Sequence, residues 1–543
     1  MKIKEFIKNK KLFKSTVIVP TLILIFLAPK MTYVYNSKKG DFLKVKNKYY
    51  KTYLINNKNN LSNSCFGEVS NINYYNSVYS QIINIIFSMG KNNYFSEKDR
   101  NTLFSFIKRS EVKNLLTKIK NVNLLEMNTD SMAEYDFLIA LINDLNFSSQ
   151  KTIEEYYRKA IDINKFNSNY YLQLSKFYTK NCYYDKAINT LLDTLSLMAM
   201  KNDDNKNNLY NIYYNLGDLY FSKRDYENSM VYYTNALVNL DYRNKNSRKA
   251  KVLIKLGDIM TIRGEYFEAI NYYKYALSLN DKKLQKDERI LLLLKLSNAY
   301  YSYGNYENSL KFAKNAVVKA KKLNDILLYS KAKYYICLNY EYLGKSTEKI
   351  KENCDEAIKK AEEYKEITNN VYSYINLAEM LDYSAYTRDP ILAINYLETA
   401  LNLNYKDNIY TKINILEKIA SIKTYTGNNK LEVFKIYNDL DGYYNKYNID
   451  AGCCNDILKG FAKELANIGN PELDYLHGEI ALKNKKAQLV TLYSYISDFY
   501  RNRGQGNLAL NYAIKGLNLS KQIYKFDHHY IRYMQDKLNI LSK

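Results

Sequence analysis

Large apolar residues recur at three- and four-residue steps on short segments separated by polar turns, the spacing of amphipathic helices that come in pairs. Three stretches make the pattern explicit: "NLGDLYFSKRDYENSMVYYTNAL" at 215–237, "KLGDIMTIRGEYFEAINYYKYAL" at 255–277 and "KLSNAYYSYGNYENSLKFAKNAV" at 295–317. Each keeps one order. A large residue precedes a small one (Leu216-Gly217, Leu256-Gly257, Leu296-Ser297), then come a turn, a second small residue (Ser229, Ala269, Ser309) and a third (Ala236, Ala276, Ala316). A fixed register of this kind predicts stacked units, each too small to bury its own apolar face. The small residues mark where paired helices approach, and Leu and Tyr from neighbouring turns fill the space beside them.

Weaker copies extend the array. Upstream, Tyr171, Leu174, Ser175, Tyr178, Ala187 and Leu191 keep the order; downstream, Leu377, Ala378, Leu381, Ala393 and Ala400 keep it with about three extra turn residues, and Tyr493, Ile496, Tyr500, Gly504 and Ala509 restore it. The units between 413 and 488 are degenerate. Gly264, Gly304, Gly344, Gly427, Gly469 and Gly504 fall at inter-helix turns, where a left-handed residue ends a helix at little cost. Asp389-Pro390 and Asn470-Pro471 read as an N-cap followed by proline at the first helical position.

These segments resemble tetratricopeptide repeats, through Tyr213, Leu216, Gly217, Tyr220, Ser229, Tyr233 and Ala236 and their counterparts forty and eighty residues on. The resemblance implies an all-α helical solenoid, a superhelix of helix-turn-helix repeats, with nine or ten units over 134–523, helices over 36–133 that precede and cap it, and a capping helix over 524–543. It also implies a concave groove lined by the first helix of each unit, with a protein or peptide as ligand. Carried onto this chain, the groove positions are Tyr214, Asp218 and Phe221, then Asp258, then Asn298 and Tyr301, then Tyr334 and Tyr342. Chaperone-binding members hold a C-terminal carboxylate with Lys and Asn; Asp218 and Asp258 stand in those places here and are expected to repel an acidic tail.

The N-terminus breaks the pattern. Residues 15–29, "STVIVPTLILIFLAP", are uncharged and as a helix span about 22 Å, extended to roughly a bilayer's thickness by Tyr35. An uncleaved signal anchor, a cleaved signal peptide and a buried helix compete. The anchor is preferred because no small-x-small cleavage site follows Leu27. The expected order is a basic tail (1–14), a transmembrane helix (15–35), a helical linker (36–133) and the array, in a single-pass cell-membrane protein with its repeats outside the cytoplasm. Lysines on both flanks nearly balance the orientation rule and add attraction to anionic lipid.

Composition changes this picture little. Pro 4 and Gly 17 argue against a turn-rich β protein. Of the net charge of +24, residues 1–60 supply 14 − 2 = +12, from fourteen lysines against Glu5 and Asp41. The remaining chain carries no strong basic excess, so nucleic acid is not an expected partner. The six cysteines show no C-x-x-C pair and read as core packing in a reducing compartment, in tension with repeats placed outside the cytoplasm. His477, His528 and His529 form no metal-binding motif, and no catalytic constellation appears, so a non-enzymatic scaffold without cofactor or small-molecule substrate is expected. The alternative is a cytoplasmic peptide-sensing regulator, similar to pheromone receptors built from forty-residue units, although 36–133 shows no helix-turn-helix signature.

Overall fold

Side-chain caps start many of the helices. Asn205 accepts from the N–H groups of Asn207 and Asn208, Asp225 from Asn228, Asn305 from Asn308, and Asp389 from Leu392 ahead of Pro390, each satisfying donors that a helix start leaves unpaired. At the turns inside the pairs, Gly264, Gly304, Gly344 and Gly504 take φ of 75°, 90°, 60° and 73°. Cys182 and Arg224 occupy the corresponding turns at φ 66° and 63°, a region costly for a residue with a side chain.

The computed structural model describes residues 127–145, 148–202, 205–240, 245–279, 286–404, 408–426, 430–447, 486–526 and 528–542, with single helical positions between 77 and 85. Among them every regular element is a helix: α1 (Thr129–Leu145), α2 (Gln150–Ile163), α3 (Ser168–Lys180), α4 (Tyr184–Met200), α5 (Lys206–Ser222), α6 (Tyr226–Val238), α7 (Lys245–Arg263), α8 (Tyr266–Ser278), α9 (Lys286–Tyr303) and α10 (Tyr306–Leu323). The series continues with α11 (Ile326–Tyr342), α12 (Thr347–Thr368), α13 (Val371–Tyr383), α14 (Pro390–Asn402), α15 (Ile409–Tyr425), α16 (Lys430–Tyr447), α17 (Lys486–Asn502), α18 (Gly506–Ile523) and α19 (His529–Leu541). The chain forms two compact units, one holding α1 and α2, the other α3 to α19. In the first, Phe137 packs on Tyr157 with ring centres 5.8 Å apart.

In the second unit, helices α3 to α18 pair as hairpins, each odd-numbered helix with the next; the hairpins from α3–α4 to α15–α16 stack each on the next, and α19 packs on the α17–α18 hairpin. The crossing inside four of the hairpins follows one rule. Ser229 Oγ donates to Gly217 O (2.8 Å), Ser175 Oγ to Ala187 O (3.1 Å) and Ser497 Oγ to Ala509 O (2.8 Å), while Ser297 and Ser309 exchange hydroxyl bonds with each other's carbonyls; each pair is twelve residues apart. Small side chains bring the backbones together, and the hydroxyl satisfies a buried carbonyl that helix geometry leaves with spare acceptor capacity.

The α11–α12 hairpin makes the same crossing with Cys337 and Cys354, seventeen residues apart and joined as a disulfide. The expectation of unpaired core thiols therefore fails for these two, and also for Cys182, which is disulfide-bonded as well. Cys354 lies one helical turn deeper in α12 than Ser229 does in α6, and the α11–α12 turn is one residue longer, which puts Cys354 opposite Cys337, where other hairpins place Gly, Ser or Ala. Cys65, Cys453 and Cys454 lie outside the described residues.

The expected single-pass membrane protein with its repeats outside the cytoplasm is corrected: no helix among the described residues is long and apolar enough to cross a membrane. Residues 15–35, on which that expectation rested, lie outside the described residues, as do the 455–485 segment and its Gly469 and Pro471, Gly427, and the first 76 positions.

Buried tyrosines make the fold sensitive to alkali. Burial, reinforced by neighbouring phenols or carboxylates, pushes Tyr266 and Tyr410 up to about 12 and holds Tyr233, Tyr273 and Tyr301 above the ordinary tyrosine value. A phenol whose folded pKa exceeds its unfolded value of about 10 contributes stability that is complete below that value and is lost as pH rises toward the folded one. The urea midpoint is expected to stay level from about pH 7 to 9 and to fall between about 10 and 12. Tyrosinate absorbance should rise together with unfolding; titration of most phenols with helicity intact would contradict this.

Candidate functional site: the inner wall of the superhelix

First helices of successive hairpins touch one another, α3 with α5, α7 with α9, α9 with α11 and α17 with α19. They form the short side of the curve, and the second helices ride outside. Val231, Val238 and Val318 are exposed on those outer helices as scattered single side chains.

The inner wall carries a repeated ion-pair ladder. Lys255 Nζ reaches Asp218 Oδ1 at 2.7 Å, Lys295 reaches Asp258 at 2.6 Å, Lys418 reaches Glu379 at 2.7 Å, and Lys537 reaches Asp498 at 2.5 Å. The register is the same each time. The acid follows the crossing residue of one first helix (Gly217, Gly257, Ala378, Ser497), and the lysine lies on the next first helix. In the first two rungs a tyrosine of the second helix donates to the same oxygen, Tyr233 OH to Asp218 (2.6 Å) and Tyr273 OH to Asp258 (2.7 Å). The ladder thus ties the two helices of a hairpin to each other and to the next hairpin. Burial alone would lower the Lys255 ammonium, but Asp218 beside it more than offsets this and the pKa lies above the ordinary lysine value.

All eight groove positions read from the sequence lie on four first helices, in varied surroundings. Tyr214 on α5 stacks on Tyr210 (5.8 Å) and leans on Tyr233, and Phe221 meets Tyr226 edge-on with Lys255 Nζ 5.4 Å from its ring centre. Asp218 and Asp258 are engaged by lysine and tyrosine as described, so neither presents a free carboxylate. The expected repulsion of an acidic peptide does not follow from them. Asn298 on α9 is half-buried and makes no side-chain hydrogen bond to a described residue. Tyr301 packs against Tyr306 and Tyr342, and Tyr342 stacks on Tyr306 at 4.6 Å while remaining 50% exposed. Tyr334 is buried, its hydroxyl 3.4 Å from Glu379 O.

Several wall residues were missed. Lys255, Lys295 and Lys418 stand three residues before the acid position, a signal present in the register but masked by the general lysine excess. Tyr383, beside Glu379 and Lys418, is 67% exposed, yet desolvation by the surrounding chain holds its phenol above the ordinary value. It is open to water with protein on most sides, as the inside of a curve demands.

The superhelix also returns onto itself. Arg224, in the α5–α6 turn, donates from both terminal nitrogens to Glu417 on α15 (2.6 and 3.0 Å), 193 residues away. At comparable separation Tyr184 meets Tyr410 edge-on (5.2 Å), and Lys525 N donates to Tyr303 O (2.9 Å). The turn edge of early hairpins therefore rests on the opposite edge of late ones.

No family model matches this sequence, and no curated protein matches it. Solved structures do. The apo form of the quorum sensor NprR from B. thuringiensis is 16% identical, with TM-score 0.42 over 60% of this chain and 97% of that one. A signal-transduction ATPase with a tetratricopeptide repeat sensor from Pyrococcus horikoshii is 14% identical, with TM-score 0.35 over 63% and 55%. The C-terminal part of a TPR repeat-containing protein from Cytophaga hutchinsonii is 15% identical, with TM-score 0.32 over 52% and 98%. At such identities and TM-scores these likenesses assign this chain neither a family nor a ligand.

Proposed function

We propose that the inner wall binds an extended protein or peptide segment, making this chain a non-enzymatic scaffold. The observation that carries the reading is the set of aromatic side chains left open along that wall, Tyr342 and Tyr383 above all, between carboxylates already neutralised by lysine. Rigid rings beside satisfied polar groups give contact area at small entropic cost, the composition that dominates protein-recognition surfaces. A sensing role, in which the bound segment is a peptide signal, is favoured over static scaffolding by the contacts between distant parts of the superhelix. A ligand lying inside the curve would act on the spacing that Arg224–Glu417 holds.

The test uses a photo-crosslinking amino acid placed at Asn298, at Tyr383 and, as the outer control, at Val238, which is 74% exposed on α6. Capture of one partner from the first two positions and not the third is expected. Replacing Tyr214, Phe221 and Tyr301 together by Ala should abolish that capture with helicity retained. Capture from Val238 alone, or undiminished capture in the triple variant, would overturn the assignment.

A further inference from the structure

The disulfide at the α11–α12 crossing has unusual company. Cys337 and Cys354 are fully buried, with Cα atoms 5.1 Å apart. Glu341, one helical turn beyond Cys337 on the same face of α11, points its carboxylate at them; the two sulfurs and a Glu341 oxygen all lie within 4.8 Å of one another. Ser384, buried at the end of α13, donates its hydroxyl to Glu341 Oε1 and sits 3.7 Å from Cys337 Sγ and 3.9 Å from Cys354 Sγ. The backbone amides of Ala385 and Tyr386 lie beside that carboxylate and favour its charged form, while the Tyr386 N–H itself donates to Ser384 Oγ at 3.2 Å. No Lys, Arg or His among the described residues pairs with Glu341.

A half-buried carboxylate oriented by one hydroxyl donor and two nearby amides and lacking a cation is poorly compensated, because such contacts return only part of the lost hydration. The other groups beside it are two sulfurs, which as thiolates are soft metal ligands. We propose that, once the Cys337–Cys354 bond is reduced, Cys337, Cys354 and Glu341 form a site for one thiophilic divalent cation of the zinc type. Two thiolates and one carboxylate suit a tetrahedral ion, with a fourth place for water or the Ser384 hydroxyl. Ser384 and the two backbone amides are the outer partners that hold the carboxylate in place.

The chemistry balances with a dithiol as reductant: its two electrons break the S–S bond, its two protons pass to the sulfurs, and it becomes a disulfide. Cation binding then releases those two protons to solvent. The sulfurs must separate to about 3.8 Å to bind one ion at zinc–sulfur distances. Side-chain rotation can provide this without moving helices whose Cα atoms are already 5.1 Å apart. The hairpin crossing is held in both states, by a covalent bond when oxidised and by the ion when reduced.

The experiment titrates the full chain with cobalt(II) as the probe, before and after reduction by a phosphine under argon, followed by displacement with zinc(II). Reduction is expected to add one equivalent of cobalt with thiolate charge-transfer absorption. Glu341→Gln, which keeps the volume and an acceptor oxygen, should weaken binding at least about tenfold; Cys337→Ser and Cys354→Ser should abolish that equivalent. As a readout that needs no variant, zinc should protect Cys337 and Cys354 of the reduced native chain from alkylation mapped by mass spectrometry. A disulfide that resists reduction in the folded protein, cobalt uptake unaffected by Glu341→Gln, or alkylation unchanged by zinc would each overturn the proposal.

Discussion

Gly257→Ala is expected to destabilise the array by about 1–3 kcal/mol, the cost of overpacking, although alanine is the better helix former by about 1 kcal/mol. A Cβ at Gly257 would stand 2.5 Å from Tyr273 Cε1, and one at Gly217 would stand 2.6 Å from Tyr233. Neither ring can retreat cheaply. Tyr273 is buried, and its hydroxyl holds Asp258, which in turn receives Lys295 from the next hairpin. The other hairpins show the same accommodation from the opposite side. Where the second helix offers Leu397 or Ala313 in place of tyrosine, the crossing residue of the first is Ala378 or Ser297. Gly257→Ala combined with Tyr273→Leu should therefore lose clearly less than the sum of the two single changes in urea unfolding. Simple additivity would mean that the glycine is not there for the ring.

Arg224→Ala and Glu417→Ala are each expected to cost about 2 kcal/mol. A pair with both side chains 19% exposed falls between a screened surface bridge and a buried one, whose loss costs several kcal/mol. Arg224→Gly discriminates further. It removes the same guanidinium but relieves the left-handed backbone at φ 63°, so it should be about 1 kcal/mol less damaging than alanine. A glycine variant as stable as the native chain would show that the residue at this turn has nothing to do with Glu417. Amide exchange supplies the second readout: opening of α15 should quicken in every variant that breaks the pair, since its partner is on α5–α6.

The local repeating unit was legible because it is written in short-range spacing. Leu216-Gly217, Ser229 and Ala236 announce the hairpin, and Gly264, Gly304, Gly344 and Gly504 its turns, since helix period and backbone chirality act within a few residues. The ladder was half legible: Asp218 and Asp258 stood out, but their partners Lys255 and Lys295 lie thirty-seven residues on, among many other lysines. The Cys337–Cys354 crossing was hidden because Cys354 lies one helical turn deeper in α12, away from the twelve-residue spacing of the serine crossings. Arg224–Glu417 was not legible, because a separation of 193 residues depends on the accumulated curvature of several hairpins, to which no single residue points.

That return contact bears on how the chain reaches its native state. A stack in which each unit touches only its neighbours behaves as a one-dimensional lattice: it nucleates anywhere, frays from its ends and has low contact order. Arg224–Glu417, Tyr184–Tyr410 and Tyr303–Lys525 close loops across the lattice. Loop-closure entropy grows only slowly with length, so forming them costs little once the intervening hairpins are rigid and much more before that. They should accordingly form late in folding and couple the unfolding of early hairpins to late ones, giving an array of local modules the cooperativity of a globular domain.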